Sequence, residues 1–458
     1  MTDPREVLVE EFAGILENDP GALDPTDPRY VPDLHGQGVE DVVEALARSI
    51  RRASDTGSHV YYFSGQRGTG KSTELRRLMG QLNGQTGIRA FLVDVLDYIS
   101  ESHPITTLDL LLVMAVAFAD RLGQADAVGT DLLQDSVVTR LTNWLQSEVN
   151  LTGVTVGSIK AEFNQRQRSI LQHFQQLDSV RQDRIMEQCR EFIRDLADIV
   201  RRRWQVDKVV LLVDSLERLR SVGDDAIKNM FDHVIGVFDT NRDQLRPGRV
   251  HVVYAVPPYL PYLSNVGQYV QMAMLASVRV CKPPSVARRV PRPEGLEVMR
   301  KVLDRRFPRW AEVISPAALD ALALKSGGDL RQLLRRFVLM AVDHAVYALD
   351  RLPLQADDPV IQAVLERQRV EFEGLVTRDE HALLHAIAAR NALDLPARSA
   401  WLTVVRFFEV RALLNYRNGS DWLDINPLLW PLIDACPARS GDDRAGHDGH
   451  AAAAGRGT

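Results

Sequence analysis

The sequence predicts an α/β protein: a parallel sheet with a large helical insertion, followed by an all-α region and a small terminal unit. Three observations carry that expectation. Across residues 57–285, short apolar runs alternate with helical stretches, the pattern of strands buried on both faces. Between the second and third of those runs, residues from about 104 to 205 contain nothing strand-like. Beyond the proline-rich stretch Pro283–Pro293, strand character gives way to helical spacing as far as about Val376.

The totals agree. A chain of 458 residues exceeds what one core usually holds, so about three domains are expected. Hydrophobic residues at 45% and charged residues at 25% describe a globular protein. The longest apolar run, Leu110–Ala119, is bracketed by Asp109 and Asp120, too short to span a bilayer, and reads as a buried helix. The acidic start (Asp3, Glu6, Glu10, Glu11) lacks the pattern of a signal peptide. Cys189, Cys281 and Cys436 lie far apart without metal-ligand spacing, which suggests buried thiols in a reducing cytoplasm. A net charge of −6 argues against a protein built chiefly to grip nucleic acid, and Arg201–Arg203 reads as a solvated helix end.

In order, residues 1–56 open with a short helical stretch. The turn-rich segment Asp24–Asp33 follows, and then a helix over about Val39–Ala53, with Val39, Val42, Val43, Leu46 and Ile50 at helical spacing. The first strand is His59–Ser64, and a helix over Thr73–Leu82 follows it. Further strands are expected at Ile88–Val95, Lys208–Val213 and Arg249–Val256, with a fifth at Val278–Lys282. The insertion includes the long polar stretch Ser158–Trp204, read as helical. Residues 286–376 form the helical region. Residues 377–436 hold helices over Glu380–Arg390 and Ser399–Arg411 and a hairpin over Leu413–Asn426, whose Asn418–Gly419 suits a type I′ turn. The tail, 437–458, has the composition of a disordered segment.

The chemistry is concentrated in Gly65-Gln66-Arg67-Gly68-Thr69-Gly70-Lys71-Ser72, which fits G-x-x-x-x-G-K-[ST]. Glycines let backbone N–H groups approach phosphate oxygens that a Cβ would obstruct. Lys71 is expected between the β- and γ-phosphates of ATP, the Ser72 hydroxyl on Mg²⁺, and Thr73 at the start of a helix whose dipole favours anions. A strand before the motif and a helix after it give this P-loop its required context. The partner element is Val209–Leu219: an apolar strand ending in Asp214 sets an acid at the carboxyl edge of the sheet, where it can hold the Mg²⁺ shell. Glu217, three residues on, can orient or deprotonate the attacking water.

On these residues the sequence resembles the STAND/NACHT-like branch of P-loop ATPases, relatives of the AAA+ class. That branch has an acid, a small residue, a hydrophobic residue and a second acid, as in Asp214-Ser215-Leu216-Glu217. Gly327-Gly328-Asp329-Leu330-Arg331 is similar to the sensor-2 element of AAA+ and origin-recognition-like ATPases, which implies that Arg331 reaches the γ-phosphate from a helical lid. The resemblance spans roughly residues 57–436 and implies an ATPase core, a lid and a winged-helix domain. It departs in two places. The fourth strand ends in Val256-Pro257-Pro258, where the family has a polar sensor, and no arginine lies between Pro257 and Ser277, where a ring-forming relative needs one. Asp27-Pro28-Arg29-Tyr30-Val31 sits where the class has its adenine-side loop, so Tyr30 is a candidate to stack on the base.

A DNA-reading winged helix needs an exposed polar recognition face. In Ser399–Arg411 the apolar residues Trp401, Leu402, Val404, Val405, Phe407, Phe408 and Val410 leave mainly Arg406, Glu409 and Arg411 outside, so packing on the ATPase core is expected first. Arg417 is a single candidate phosphate contact. The resulting expectation is a slow, cytoplasmic ATP-hydrolysing switch that self-associates or acts on a separate effector protein. A DNA-associated loader ATPase and a scaffold with negligible turnover are the alternatives.

Overall fold

The computed structural model describes residues 3–36, 40–54, 57–124, 140–141, 143–144, 159–218, 223–282, 289–393, 395, 400–417 and 421–434. Strands β1 (Val60–Gly65), β2 (Ile88–Asp94), β3 (Lys208–Asp214), β4 (His251–Val256) and β5 (Gln271–Leu275) form a parallel sheet in the order β2-β3-β4-β1-β5. Every residue of the inner strands β1, β3 and β4 is buried, because both faces are covered.

The period-two rule divides the side chains. Tyr61, Phe63, Val210, Leu212, Val253 and Ala255 pack under α2 (Val42–Arg52) and α3 (Lys71–Asn83). Tyr62, Val209, Leu211, Val213, Val252 and Tyr254 face α4 (Thr107–Gly123) and the rest of the insertion. Asp41 caps α2 at its start and pairs with Arg77 of α3 at 2.6 Å. At the other end Lys208 Nζ donates to the carbonyls of Ile50, Arg51 and Ala53 at 2.8–2.9 Å. Helix α3 begins at Lys71 instead of Thr73, since Gly70, left-handed at φ 92°, ends the loop there.

In the insertion, Leu110–Ala119 is buried throughout, and α4 starts at a capping box between Thr106 and Asp109. The stretch 159–204 holds two helices, α5 (Ile159–Gln175) and α6 (Ser179–Trp204), with Asp178 capping the second. Helix α7 (Asp224–Ile235) follows β3. Among the described residues no helix is long and apolar enough to cross a membrane.

The fifth strand is not where the sequence suggested. Val278–Lys282 lies outside the sheet, and Gln271–Leu275 pairs with β1 instead. The run Val278-Arg279-Val280 has strand-like composition, but its partners are elsewhere: Val278 N bonds to Gly328 O at 3.3 Å, and Val278 and Val280 join the core of the helical region.

That region contains α8 (Pro293–Asp304), α9 (Pro316–Ser326), a wide helical turn Gln332–Val338 running into α10 (Leu339–Ala345), and α11 (Pro359–Glu373). Helix α1 (Pro4–Glu17) packs there too, through Leu8, Val9, Phe12 and Leu16, with Phe12 stacked on Phe307 at 4.7 Å. The terminal unit comprises α12 (His381–Arg390), α13 (Ala400–Glu409), the antiparallel hairpin β6 (Leu413–Arg417) and β7 (Asp421–Ile425), and α14 (Trp430–Asp434). Its α13 lies on the sheet domain: Trp401 meets Phe231 edge-on at 6.2 Å, and Phe408 stacks on Tyr262 at 5.5 Å. The expected Asn418–Gly419 turn and the tail 437–458 lie outside the described residues, as does residue 39.

Candidate nucleotide site

Strand β1 delivers Gly65 to the carboxyl edge of the sheet, where a Cβ would stand 2.7 Å from Leu275 O. Gly68 has φ 90°, and a Cβ there would lie 2.8 Å from both Asp329 Oδ1 and Arg331 Cβ. Only glycine meets both demands. The buried Thr69 closes the turn by donating its hydroxyl to Gln66 O at 2.8 Å. Gly70 then leads into α3, whose first backbone amides have no partner within the helix and point back toward the loop.

The charged groups converge here. Lys71, 4% exposed, donates to Gly65 O at 2.6 Å and Gln66 O at 2.7 Å, and its ammonium lies 3.4 Å from Glu217 Oε1. Ser72 bonds to Asp214, whose carboxylate also accepts from Ser215 N at 2.7 Å, with Ser215 at φ 71°. Burial raises Asp214 above the usual carboxylate range; neighbouring Glu217 adds to this and Ser72 opposes it. Burial lowers Lys71, against the pull of Glu217 and Asp214. Asp94 closes β2 in register with Asp214 and is likewise raised, first by burial and further by Asp214's charge.

From the helical region, Asp329 caps the following turn through Gln332 N at 2.9 Å and pairs with Arg411 of the terminal unit at 3.1 Å. Arg331 rests its Cβ on Gly68, with Arg411 and Arg218 in electrostatic reach of its exposed guanidinium. The hairpin also meets the loop: Gln66 Nε2 donates to Leu413 O. Ser277 N donates to Asn415 O at 3.0 Å, and Tyr416 donates its hydroxyl to Gly327 O at 2.6 Å. Arg67 lies 3.6 Å from Glu101, in the loop beyond β2.

Residues 65–72, Asp214, Glu217 and Arg331 are thus brought together. Thr73 faces the N-terminal segment, and Tyr30, within that segment, faces α3. Thr73 Oγ1 accepts from Leu23 N at 3.0 Å, and Tyr30 donates to Glu74 Oε1 at 3.1 Å. His35 carries no motif that would mark it in the sequence. Its Nδ1 lies 3.1 Å from Ala276 O, and since a carbonyl only accepts, Nδ1 carries the proton. Its Nε2 lies 3.9 Å from where a Cβ on Gly70 would be, and burial holds its pKa down to about 4.

The residues fit a phosphate–Mg²⁺ group. Lys71, Ser72 and Asp214 converge at the carboxyl edge of the sheet, and beside them Glu217 Oε2 is buried without a hydrogen-bond partner. Among the described residues no three His, Cys, Asp or Glu side chains group tightly enough to hold a metal alone. That suits Mg²⁺, which takes one or two protein ligands and completes its shell with phosphate and water.

Fold and site together define an α/β P-loop ATPase domain. More narrowly, residues 37–238 match the AAA ATPase domain family. A search of curated proteins found no match. Among solved structures, the Walker-type ATPase PABY2304 of Pyrococcus abyssi is similar at 12% identity and a TM-score of 0.38, covering 86% of this chain and 95% of that one. A chain from the structure of Drosophila ORC bound to DNA is similar at 14% identity and a TM-score of 0.32, covering 94% of this chain and all of that one.

Proposed function

We propose that the chain is an ATP-driven molecular switch of the STAND/AAA+-like kind, which binds ATP–Mg²⁺ at Gly65–Ser72 and hydrolyses it slowly. The observation that carries this reading is that three parts of the chain meet at one loop. The helical region touches Gly68 through Asp329 and Arg331, the terminal hairpin touches Gln66, and the sheet supplies Asp214 and Glu217. A γ-phosphate held by this loop would add negative charge near the Asp329 carboxylate and Arg331, which both touch Gly68. It therefore changes the balance that holds lid to loop.

In this reading Lys71 leaves the carbonyls of Gly65 and Gln66 for the phosphates, and Ser72 and Asp214 would hold the metal. The Mg²⁺ supplies charge neutralisation on the phosphate oxygens. Glu217 accepts the proton of the attacking water with its unpartnered Oε2. Arg331 senses the γ-phosphate, and the lid moves together with the terminal unit, read as a winged helix. The output is self-association or contact with a separate effector protein, in signalling or defence, inside the cytoplasm. These last steps rest on the family resemblance.

Hydrolysis and molecular mass, measured with and without ATP for the parent, Lys71→Ala and Glu217→Gln, test the reading. We expect turnover to fall at least ~100-fold in both variants. We expect mass to respond to ATP only where Lys71 is present. Turnover unchanged in Glu217→Gln would favour a scaffold without catalysis.

A further inference from the structure

The sheet has a second end. At the amino-terminal edge of β1 and β5, away from the P-loop, lies a cleft of about 440 Å³ whose lining includes Arg52, His59, Tyr61, Arg246, Tyr269 and Gln271. We propose that it is a second ligand site, for a planar aromatic ring bearing a phosphate, with the nucleoside monophosphates as the matching class.

Size and charge point the same way. The volume falls among small-molecule sites, and no carboxylate appears in the described lining. Arg52, exposed at the end of α2, makes no ion pair among the described residues. Arg246 is oriented by its bond to Ser58 O at 3.0 Å and by Asp243 at 3.4 Å, with its side chain 34% exposed. Two guanidinium groups suit the oxygens of one phosphate. The buried Lys208 ammonium holds the carbonyl of Ala53, another lining residue, and so fixes the backbone at that edge of the cleft.

The walls are aromatic. Tyr269 is 59% exposed, with Arg242 over its ring at 4.1 Å. His59 is stacked on the buried His251 at 5.2 Å and 6°, so its orientation is fixed. An exposed tyrosine backed by one arginine, in a cleft lined by two others, is a platform for a base. Along β1 the cleft lies about 16 Å from the P-loop, so one ATP molecule does not serve both.

The test is calorimetric titration of AMP and GMP into protein whose P-loop is saturated with ATPγS–Mg²⁺. It uses the parent, Arg52→Ala, Arg246→Ala, Tyr269→Ala and Lys71→Ala. We expect one binding event that survives the saturating analogue and Lys71→Ala. It should weaken about tenfold in each arginine variant and in Tyr269→Ala. Phosphate alone and the free nucleoside should each bind far more weakly than the monophosphate. No heat with either nucleotide, competition with ATPγS, or binding indifferent to Arg52→Ala and Tyr269→Ala overturns the proposal. Phosphate binding as well as AMP overturns its aromatic half. Arg52 and Tyr269 are exposed, so their variants report binding even if Arg246→Ala fails to fold.

Discussion

At Asp214 and His35 two titrating groups respond to pH in opposite ways. Asp214 is raised in the folded chain, chiefly by burial. The native state therefore holds that proton in a pH window where the unfolded chain has lost it, and stability falls as pH rises through that window. Asp214→Asn removes the penalty, so nucleotide-free protein should melt higher at neutral pH while losing Mg²⁺-dependent turnover. An unchanged or lower melting temperature would mean that the buried carboxylate costs nothing. His35 is lowered to about 4 from an ordinary 6.5. Below pH 6.5 the unfolded chain gains a proton that the folded chain refuses, so stability falls, by up to about 3 kcal/mol near pH 4. In His35→Asn that part of the acid loss should disappear, read from denaturant midpoints at two pH values. Gly65–Ser72 and Asp214 were legible in the sequence because a phosphate loop dictates residue types at fixed offsets. His35 and Asp94 were not, since each matters only through what the fold sets beside it.

The elements around the loop are fitted by glycines. Gly328 has φ 84°, and a Cβ there would stand 1.8 Å from Val278 O. Gly328→Ala forces that contact apart and strains the backbone, a cost of about 2–4 kcal/mol. The expected result is a lower denaturation midpoint together with weaker ATP binding, because Asp329 and Arg331 follow directly. A variant that melts lower but binds ATP normally would separate lid packing from the site. The misplaced fifth strand belongs to the same contact. Val278-Arg279-Val280 has β-branched composition because it is buried, yet composition does not say whether the neighbour is a strand or a lid. Gln271–Leu275 was the less obvious strand because it lies at the edge of the sheet, with Gln271 exposed.

Across the whole molecule, the terminal unit is committed inward. Its apolar residues Leu384, Ile387, Val404, Phe407 and Phe408 belong to the same core as β3 and β4. The arginines that a DNA reading needs are engaged: Arg406 with Glu380 and Leu375 O, Arg411 with Asp329, and Arg417 with Asp421 at 3.8 Å. Nucleotide-free protein should not retain double-stranded DNA at about physiological salt, where phosphate contacts decide affinity. Arg406→Ala should lower the melting temperature and leave DNA retention unchanged. Retention that falls steeply with salt and is lost in Arg406→Ala would restore the loader reading. The inward packing of Ala400–Glu409 was legible, because apolar residues at most of its positions leave a helix little to show to a groove. The seat of α1 was not, since an amphipathic helix does not name its partner.

That seat sets a timetable for synthesis. Phe12 and its neighbours are made long before the surface that covers them, which extends to Val342 and Ala345 of α10. At about 5–20 residues per second, some 330 further residues take roughly 15–65 seconds. For that interval α1 hangs from the ribosome as an amphipathic helix without a home, while the sheet assembles behind it. The nascent chain thus keeps an apolar helix face uncovered until α10 is made, and a holdase that binds such faces would meet it throughout that interval.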